Sequence, residues 1–262
     1  MRLIPILLFV ACISCLAKSA HEDAPGPNFR SMAYDQYGVR VYALTERDSN
    51  GLLLKQDTLG LFSSHNIMPQ SGGQCMEQWQ FLKKGRHFDV DVERLNPDLQ
   101  GTGTSDTSLF MHPPRFSYLT ILQFCPYPFF RNMSAEGNTW DWDLSIGGNW
   151  TIDSLYPLND KSELFKTHYV YSSRKAFETY QGTRACFKVE AITTSKFGTA
   201  TACFWLSDSL GLVRYEARTI NGLSFELQML AKGSDTAIMG VENSFIKSWH
   251  PAKQFSLMPE GG

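Results

Sequence analysis

Charge is scarce in this chain: Asp, Glu, Lys and Arg make up 19% of its 262 residues, and the net charge is -2. No basic run tracks a phosphate backbone, so nucleic acid is not an expected partner. Nucleophile elbows, zinc-protease helices, phosphate loops and dinucleotide-binding glycine patterns are all missing. No catalytic residue and no cofactor are therefore expected, and a non-enzymatic role is preferred while an enzymatic one stays open. The six histidines, at 21, 65, 87, 112, 168 and 250, form no close metal-ligand pair, and no metal site is expected. Beyond the first twenty residues no apolar stretch is long enough to span a bilayer. Helix signals are also sparse. The one modest candidate is Asn159–Phe165, where Asp160 would cap the first turn.

What the sequence does have is apolar and aromatic material. Hydrophobic residues are 43% and aromatics 13%, with 18 Phe and 10 Tyr. Val, Thr, Tyr and Phe cluster in short runs, which favours strands. The chain divides into a signal peptide (1–15), a flexible tether (16–30) and one β-rich domain (31–262). The first segment, MRLIPILLFVACISCLAKSA, has Arg2 near its start, followed by an apolar run too short to span a membrane. Ile13-Ser14-Cys15 is similar to the end of a bacterial lipobox, which makes Cys15 the expected lipid attachment site. Val10-Ala11-Cys12 is a competing match, and soluble export with cleavage near Ala17 or Ser19 is a further alternative. The polar, Pro/Gly-containing LAKSAHEDAPGPN that follows suits a tether. The expected location is the cell envelope, with the membrane as partner through an N-terminal lipid.

Strands are expected near Val39–Leu44, Leu52–Lys55, Gln74–Phe81 and His87–Arg94, with Lys83–Arg86 as the turn joining the last two. Leu95–Ser108 is rich in turn formers and reads as a loop. ACFKVEAITTSKFGTATACFW reads as a hairpin in which Val189 faces Phe204 and Ala191 faces Ala202. That register sets Cys186 opposite Ser207 and Cys203 opposite Glu190, about 13 Å apart along the strands at about 3.3 Å per residue. A Cys186–Cys203 disulfide is therefore not expected, although Cys75, Cys125, Cys186 and Cys203 are enough for two bridges. GLVRYEARTINGLSFELQML is a second hairpin. A two-residue Asn221-Gly222 turn would mix its faces. A three-residue Ile220-Asn221-Gly222 loop, with Gly222 left-handed, restores one apolar side. Consecutive hairpins with one apolar face imply an all-β fold, a curved antiparallel sheet forming a half-barrel or lipocalin-like barrel.

Four residues stand out as candidate ligand contacts. In FMHPPRF, Pro113 restricts His112 to extended backbone, and the stiff Pro-Pro unit holds His112 and Arg115 at low entropic cost. They read either as an anion clamp at a barrel mouth or as polar groups pinning a corner between two strands. In TWDWDLSI, Trp140 and Trp142 share one face with Leu144 and Ile146, while Asp141 and Asp143 share the other. The indoles would stack on a sugar, line a cavity or fill the core. The carboxylates would serve hydrolysis or calcium binding, or simply face water.

FMHPPRF, CPYPFF, GNTWDWDLSIGGNW, GTRACFKVEAITTSKFGTATACFW and GLVRYEA occur in this order from about residue 75 to 230. Together they resemble a family of lipoproteins from Bacteroidetes-type bacteria that has no established activity. The resemblance implies an envelope location and a β-rich, half-barrel-like domain. Asp57-Thr58-Leu59, Asp153-Ser154-Leu155, Asp208-Ser209-Leu210 and Asp235-Thr236-Ala237 are similar to the O-glycosylation acceptors of such bacteria, or are plain turn formers. The leading expectation is non-enzymatic binding of an apolar or amphipathic small molecule, or of an envelope protein, in the concavity of the sheet. The alternatives are carbohydrate binding or processing at the cell surface, and a structural subunit of an envelope complex.

Overall fold

A computed structural model describes residues 38–68, 74–85, 87–96, 100–131, 133–147 and 162–239, together with Phe29. Cys12, Cys15, the tether up to Asn28 and the motif at Asp153 lie outside the described residues. Thirteen strands are seen. The first seven are β1 (Gly38–Arg47), β2 (Leu53–Met68), β3 (Gln74–Lys84), β4 (Phe88–Val90), β5 (Gln100–Thr104), β6 (Ser108–Phe110) and β7 (Phe129–Arg131). The rest are β8 (Thr139–Ile146), β9 (Glu163–Thr179), β10 (Gly182–Ser195), β11 (Gly198–Ser207), β12 (Gly211–Arg218) and β13 (Ser224–Ser234). They form one sheet in the order β7-β6-β5-β3-β2-β1-β13-β12-β11-β10-β9-β8, with β4 attached to β3. Every pairing is antiparallel. The result is the expected all-β, antiparallel architecture, curled into a nearly closed barrel.

Both long C-terminal hairpins have the expected registers. Val189 pairs with Phe204, Ala191 with Ala202, Cys186 with Ser207 and Glu190 with Cys203. Cys75, Cys125, Cys186 and Cys203 are free thiols, so neither of the two possible bridges is present. In the second hairpin Tyr215 pairs with Leu227 and Ala217 with Phe225. Its loop closes with Gly222 at φ 86°, with Thr219 N–H donating to Leu223 O at 2.8 Å and Gly222 N–H donating to Thr219 O at 2.9 Å. A Cβ at that φ would strain the backbone, which is why Gly follows Asn here.

Four local expectations are corrected. Leu95–Ser108 is not all loop, because Gln100–Thr104 pairs with β3 through Cys75–Glu77. The His87–Arg94 strand is only Phe88–Val90, after which Val92–Arg94 turns as a 3₁₀ helix capped by Asp91. The described part of the proposed helix Asn159–Phe165 opens β9, where Phe165 packs inward. The run after His-Pro-Pro-Arg is a 3₁₀ helix, Ser117–Phe124, so His112 and Arg115 lie between a strand and a helix. A short apolar run cannot be assigned to strand or helix by periodicity alone.

That helix decides what fills the barrel. Residues 111–128 run through its interior as a plug. Phe116, Leu119, Leu122 and Phe124 are buried in the same core as the inward residues of the wall, such as Leu44, Trp79, Val189, Phe204 and Leu227. Burying each such side chain contributes roughly 1.5–3 kcal/mol. Three small residues of the same core, Ala191, Ala202 and Ala217, are in register across three strands. Phe124 stacks on Phe165 at 5.1 Å. A second, smaller core lies on the other side of the wall. There Val39, Val41, Phe62 and Leu82 are covered by Met239 of the short helix α1 (Asp235–Met239).

The plug carries Pro113, Pro114, Pro126 and Pro128, so it cannot satisfy its own carbonyls by regular pairing. The wall supplies donors. Tyr169 donates to Tyr127 O at 3.1 Å, Tyr215 to Pro126 O at 3.4 Å, and Trp79 Nε1 to His112 O at 3.1 Å. Removing one such donor strands a buried carbonyl, which costs about 1–3 kcal/mol. Tyr169→Phe is accordingly expected to lower unfolding free energy by that amount in urea titrations. Tyr180→Phe, at an exposed position, is expected to leave the midpoint unchanged.

Candidate functional site

The two ends of the sheet, β7 and β8, meet through rings. Phe129 of β7 lies 6.4 Å from Trp140 and 5.9 Å from Trp142 of β8. Both indoles reach this seam because β8 alternates as its sequence predicts: Trp140 and Ile146 are buried, while Thr139, Asp141, Asp143 and Ser145 are exposed. Trp142 also touches Phe110 at 5.0 Å and Tyr127 at 5.7 Å. Trp140 stacks on Tyr169 at 5.4 Å with the planes 4° apart.

His112 joins the same cluster, 5.0 Å from Phe110 and 5.3 Å from Tyr127. Arg115 acts on both His112 and Tyr127. His112, Arg115, Trp140 and Trp142, separated by up to thirty positions in sequence, are thus gathered around Tyr127 and Phe129. The rings that connect them, Phe110, Tyr127 and Phe129, were passed over in the sequence. Their signal was present in FMHPPRF and CPYPFF, but only as a connection rich in proline and aromatics.

Electrostatics at the seam are set by burial. Loss of water, and secondarily the Arg115 charge, hold His112 down at about 3, so it is neutral near pH 7. Burial pushes the Tyr127 phenol up to about 12, against a smaller opposing pull from Arg115. Among the described residues His112 Nδ1 and Trp140 Nε1 are buried without a hydrogen-bond partner. Buried polar atoms of that kind are uncommon and costly. The cluster can therefore offer an incoming molecule a ring surface, a neutral imidazole, an indole N–H and a guanidinium.

The carboxylate pair belongs to a different surface. Asp141 faces outward and holds His168 Nδ1 at 2.7 Å. Asp141 and Asp143 are on the opposite face of β8 from the tryptophans, so one sugar cannot touch both pairs. Among the described residues no three of His, Cys, Asp and Glu come together in a way that would hold a metal ion.

An open groove of about 580 Å³ lies on the outside of the wall, across β9 to β13 and β1. Glu190, Cys203, Glu216 and Glu226 are register neighbours along it. Lys188 holds Glu190 at 2.8 Å and Arg214 holds Glu226 at 3.1 Å, so the acidic row is neutralised by the row beside it. Burial pushes the Cys203 thiol up to about 12, leaving it a poor nucleophile. Of the Asp-Ser/Thr-apolar motifs, Thr58 is inside paired β2, whereas Ser209 and Thr236 are exposed in a turn and on α1.

Three solved structures are similar to this chain. A "putative exported protein with YmcC-like fold" from Bacteroides fragilis is 13% identical, with 80% of this chain and 100% of that one aligned at a TM-score of 0.41. A "putative lipoprotein" from Parabacteroides distasonis is 13% identical over the same shares, at 0.39. The "hypothetical lipoprotein YmcC" from Escherichia coli is 10% identical over 78% and 88%, at 0.33. No protein-family model matches the chain, and no curated protein matches it. At these levels of likeness the architecture rests on the strand pairing of this chain itself.

The buried histidine makes the seam sensitive to acid. His112 is held below its usual value of 6.5, so the unfolded chain binds the proton first as pH falls. The stability linked to this group is complete above about 6.5 and is lost as pH falls from there toward the folded value of about 3. Urea unfolding at pH 7, 5.5 and 4.5 is expected to show that loss in the parent. His112→Gln, which cannot titrate, is expected to flatten the pH dependence in this range.

Proposed function

We propose that the chain is a lipid-anchored cell-envelope protein that binds an amphipathic molecule at its aromatic seam and performs no chemistry on it. The observation that carries this reading is the convergence of His112, Arg115, Trp140 and Trp142 at the one place where the ends of the sheet path meet by rings. Ring contacts part more easily than a strand pair, because no ladder of hydrogen bonds is broken. Trp142 is only partly buried, so it is the movable member. An apolar tail would replace Trp142 against Phe110 and Phe129. A polar or anionic head would meet Arg115 by charge-assisted hydrogen bonds, with His112 Nδ1 and Trp140 Nε1 completing its contacts. The interior behind the seam is filled by the plug, so the bound molecule lies in the seam and not in a hollow barrel.

A partner protein is the second reading, and the groove beside Glu190, Glu216 and Glu226 favours it. Its paired charges would be exchanged for those of a partner, giving specificity more than affinity.

Native mass spectrometry after mild purification is expected to show a bound apolar or amphipathic species, reduced at least about tenfold by Trp142→Ala, a loss of about 1.4 kcal/mol. A species retained at full occupancy by that variant would move the site elsewhere. Anchoring has a separate test. Palmitate labelling is expected to be lost in Cys15→Ala and kept in Cys12→Ala, and the reverse pattern would reassign the lipid.

A further inference from the structure

The large apolar side chains that remain exposed are unevenly placed. Leu52, Leu53 and Leu54 are 66%, 43% and 51% exposed, and Val92 and Leu95 are 71% and 47% exposed. All five belong to one end of the barrel. The leucines form the tip of the β1–β2 hairpin and the start of β2. Val92 and Leu95 flank Arg94, which is tied to Asp57 of the same strand at 2.9 Å. Successive strand residues point to opposite sides, so three consecutive leucines cannot all serve one core, and here none does. Leu164 and Ile192, 44% and 41% exposed, lie on the wall toward the same end, and among the described residues the other end exposes Tyr180, at the β9–β10 turn.

The tip is closed by several hydrogen bonds. Asp48 N–H donates to Leu52 O at 2.9 Å, and Gly51 N–H to Asp48 O at 3.0 Å with φ 84° at Gly51. Asp48 Oδ1 accepts from Asn50 N–H at 2.9 Å and from Leu52 N–H at 2.8 Å, and Arg47 donates to Gly51 O at 3.2 Å. The neighbouring β12–β13 turn supports it, since a Cβ on Gly222 would lie 3.4 Å from Ser49. Of the anions at this end, Glu46 faces Lys55 across the strands and Glu93 lies 3.5 Å from Lys83. The Asp48 carboxylate is used by the turn, while Asp57 accepts from Arg94 and from Tyr118. Arg47 and Lys55 remain exposed on either side of the tip, Lys55 resting over the Tyr118 ring.

We propose that this end of the barrel is a membrane-docking surface. The Leu52–Leu54 tip enters the interfacial region of a bilayer, and Arg47 and Lys55 meet anionic phospholipid headgroups. A projecting apolar tip with flanking cations suits a lipid interface, which needs no complementary pocket. A protein partner would require a matching cavity. The inference extends the anchored-envelope reading without depending on it. The chain from Cys15 to buried Phe29 is 14 residues. Fully extended it reaches about 50 Å, more than the roughly 33 Å length of a ten-residue strand such as β1. An acyl chain and the leucine tip can therefore engage one bilayer together.

The test places a photoreactive benzoylphenylalanine at Leu53, at Leu230 in the middle of the wall, or at Tyr180 of the full chain. Each protein is irradiated with vesicles of phosphatidylethanolamine and phosphatidylglycerol in a three to one ratio, roughly the anionic content that basic surface patches respond to. Phospholipid adducts are expected to be about tenfold richer at position 53 than at the other two, as burial of several methylenes per leucine implies. Arg47→Glu combined with Lys55→Glu is expected to reduce them at least about threefold. Equal yields at all three positions would overturn the proposal, as would adducts from position 53 to a second copy of the chain in place of lipid. Because the comparison holds the N-terminus constant, its outcome is separate from that of the palmitate experiment.

Discussion

Three side chains of the wall hold the carbonyls of a proline-rich segment inside the barrel, and the rest of the structure depends on this. Tyr169, Tyr215 and Trp79 donate to Tyr127 O, Pro126 O and His112 O. Without them the plug would carry unsatisfied acceptors into an apolar interior, at a cost comparable to what its own burial contributes. With them, a barrel that would otherwise be hollow has a dense core.

The plug also determines where binding can take place. By filling the concavity it turns attention from the inside of the barrel to its margins. Those margins are the aromatic seam between β7 and β8, the charged groove on the outer wall and the leucine tip at one end. Each is built differently. The seam is a set of rings with two unpartnered polar atoms, the groove is a lattice of paired charges, and the tip is a hydrogen-bonded turn that leaves its apolar residues in water. An envelope protein that touches lipid at one end and holds a molecule at its side would use the seam and the tip together, with a stiff self-filled barrel keeping them a fixed distance apart.

Much of the fold could be read from the residues. The β10–β11 and β12–β13 registers followed from alternation and turn chemistry, down to the left-handed Gly222. The inward face of TWDWDLSI followed from the same alternation. The segment after His-Pro-Pro-Arg did not. SYLTILQF has the length and composition of a strand, and what makes it helical is its packing inside the barrel after a reversal at Ser117, whose φ is 54°. The residues that follow it are held from far away in sequence, Tyr169 being 42 residues from Tyr127 and Tyr215 being 89 from Pro126. The four candidate residues were picked from two separate motifs for separate reasons, and nothing in either motif pointed to Phe129 and Tyr127 as the rings joining them.

The amino-acid sequence by itself determined the all-β class, the hairpins, and which side of each hairpin faces inward. These are local matters, decided by side-chain alternation, by turn residues and by the spacing of neighbouring groups. Tertiary structure alone decided that the concavity is occupied, that His112, Arg115, Trp140 and Trp142 share one seam, that the Asp and Trp pairs of β8 face different environments, and that Leu52 to Leu54 stay in water. Those outcomes depend on which distant strands close around which loop. That choice is made by the total burial and hydrogen bonding of the assembled barrel, to which no single stretch of sequence contributes enough to reveal it.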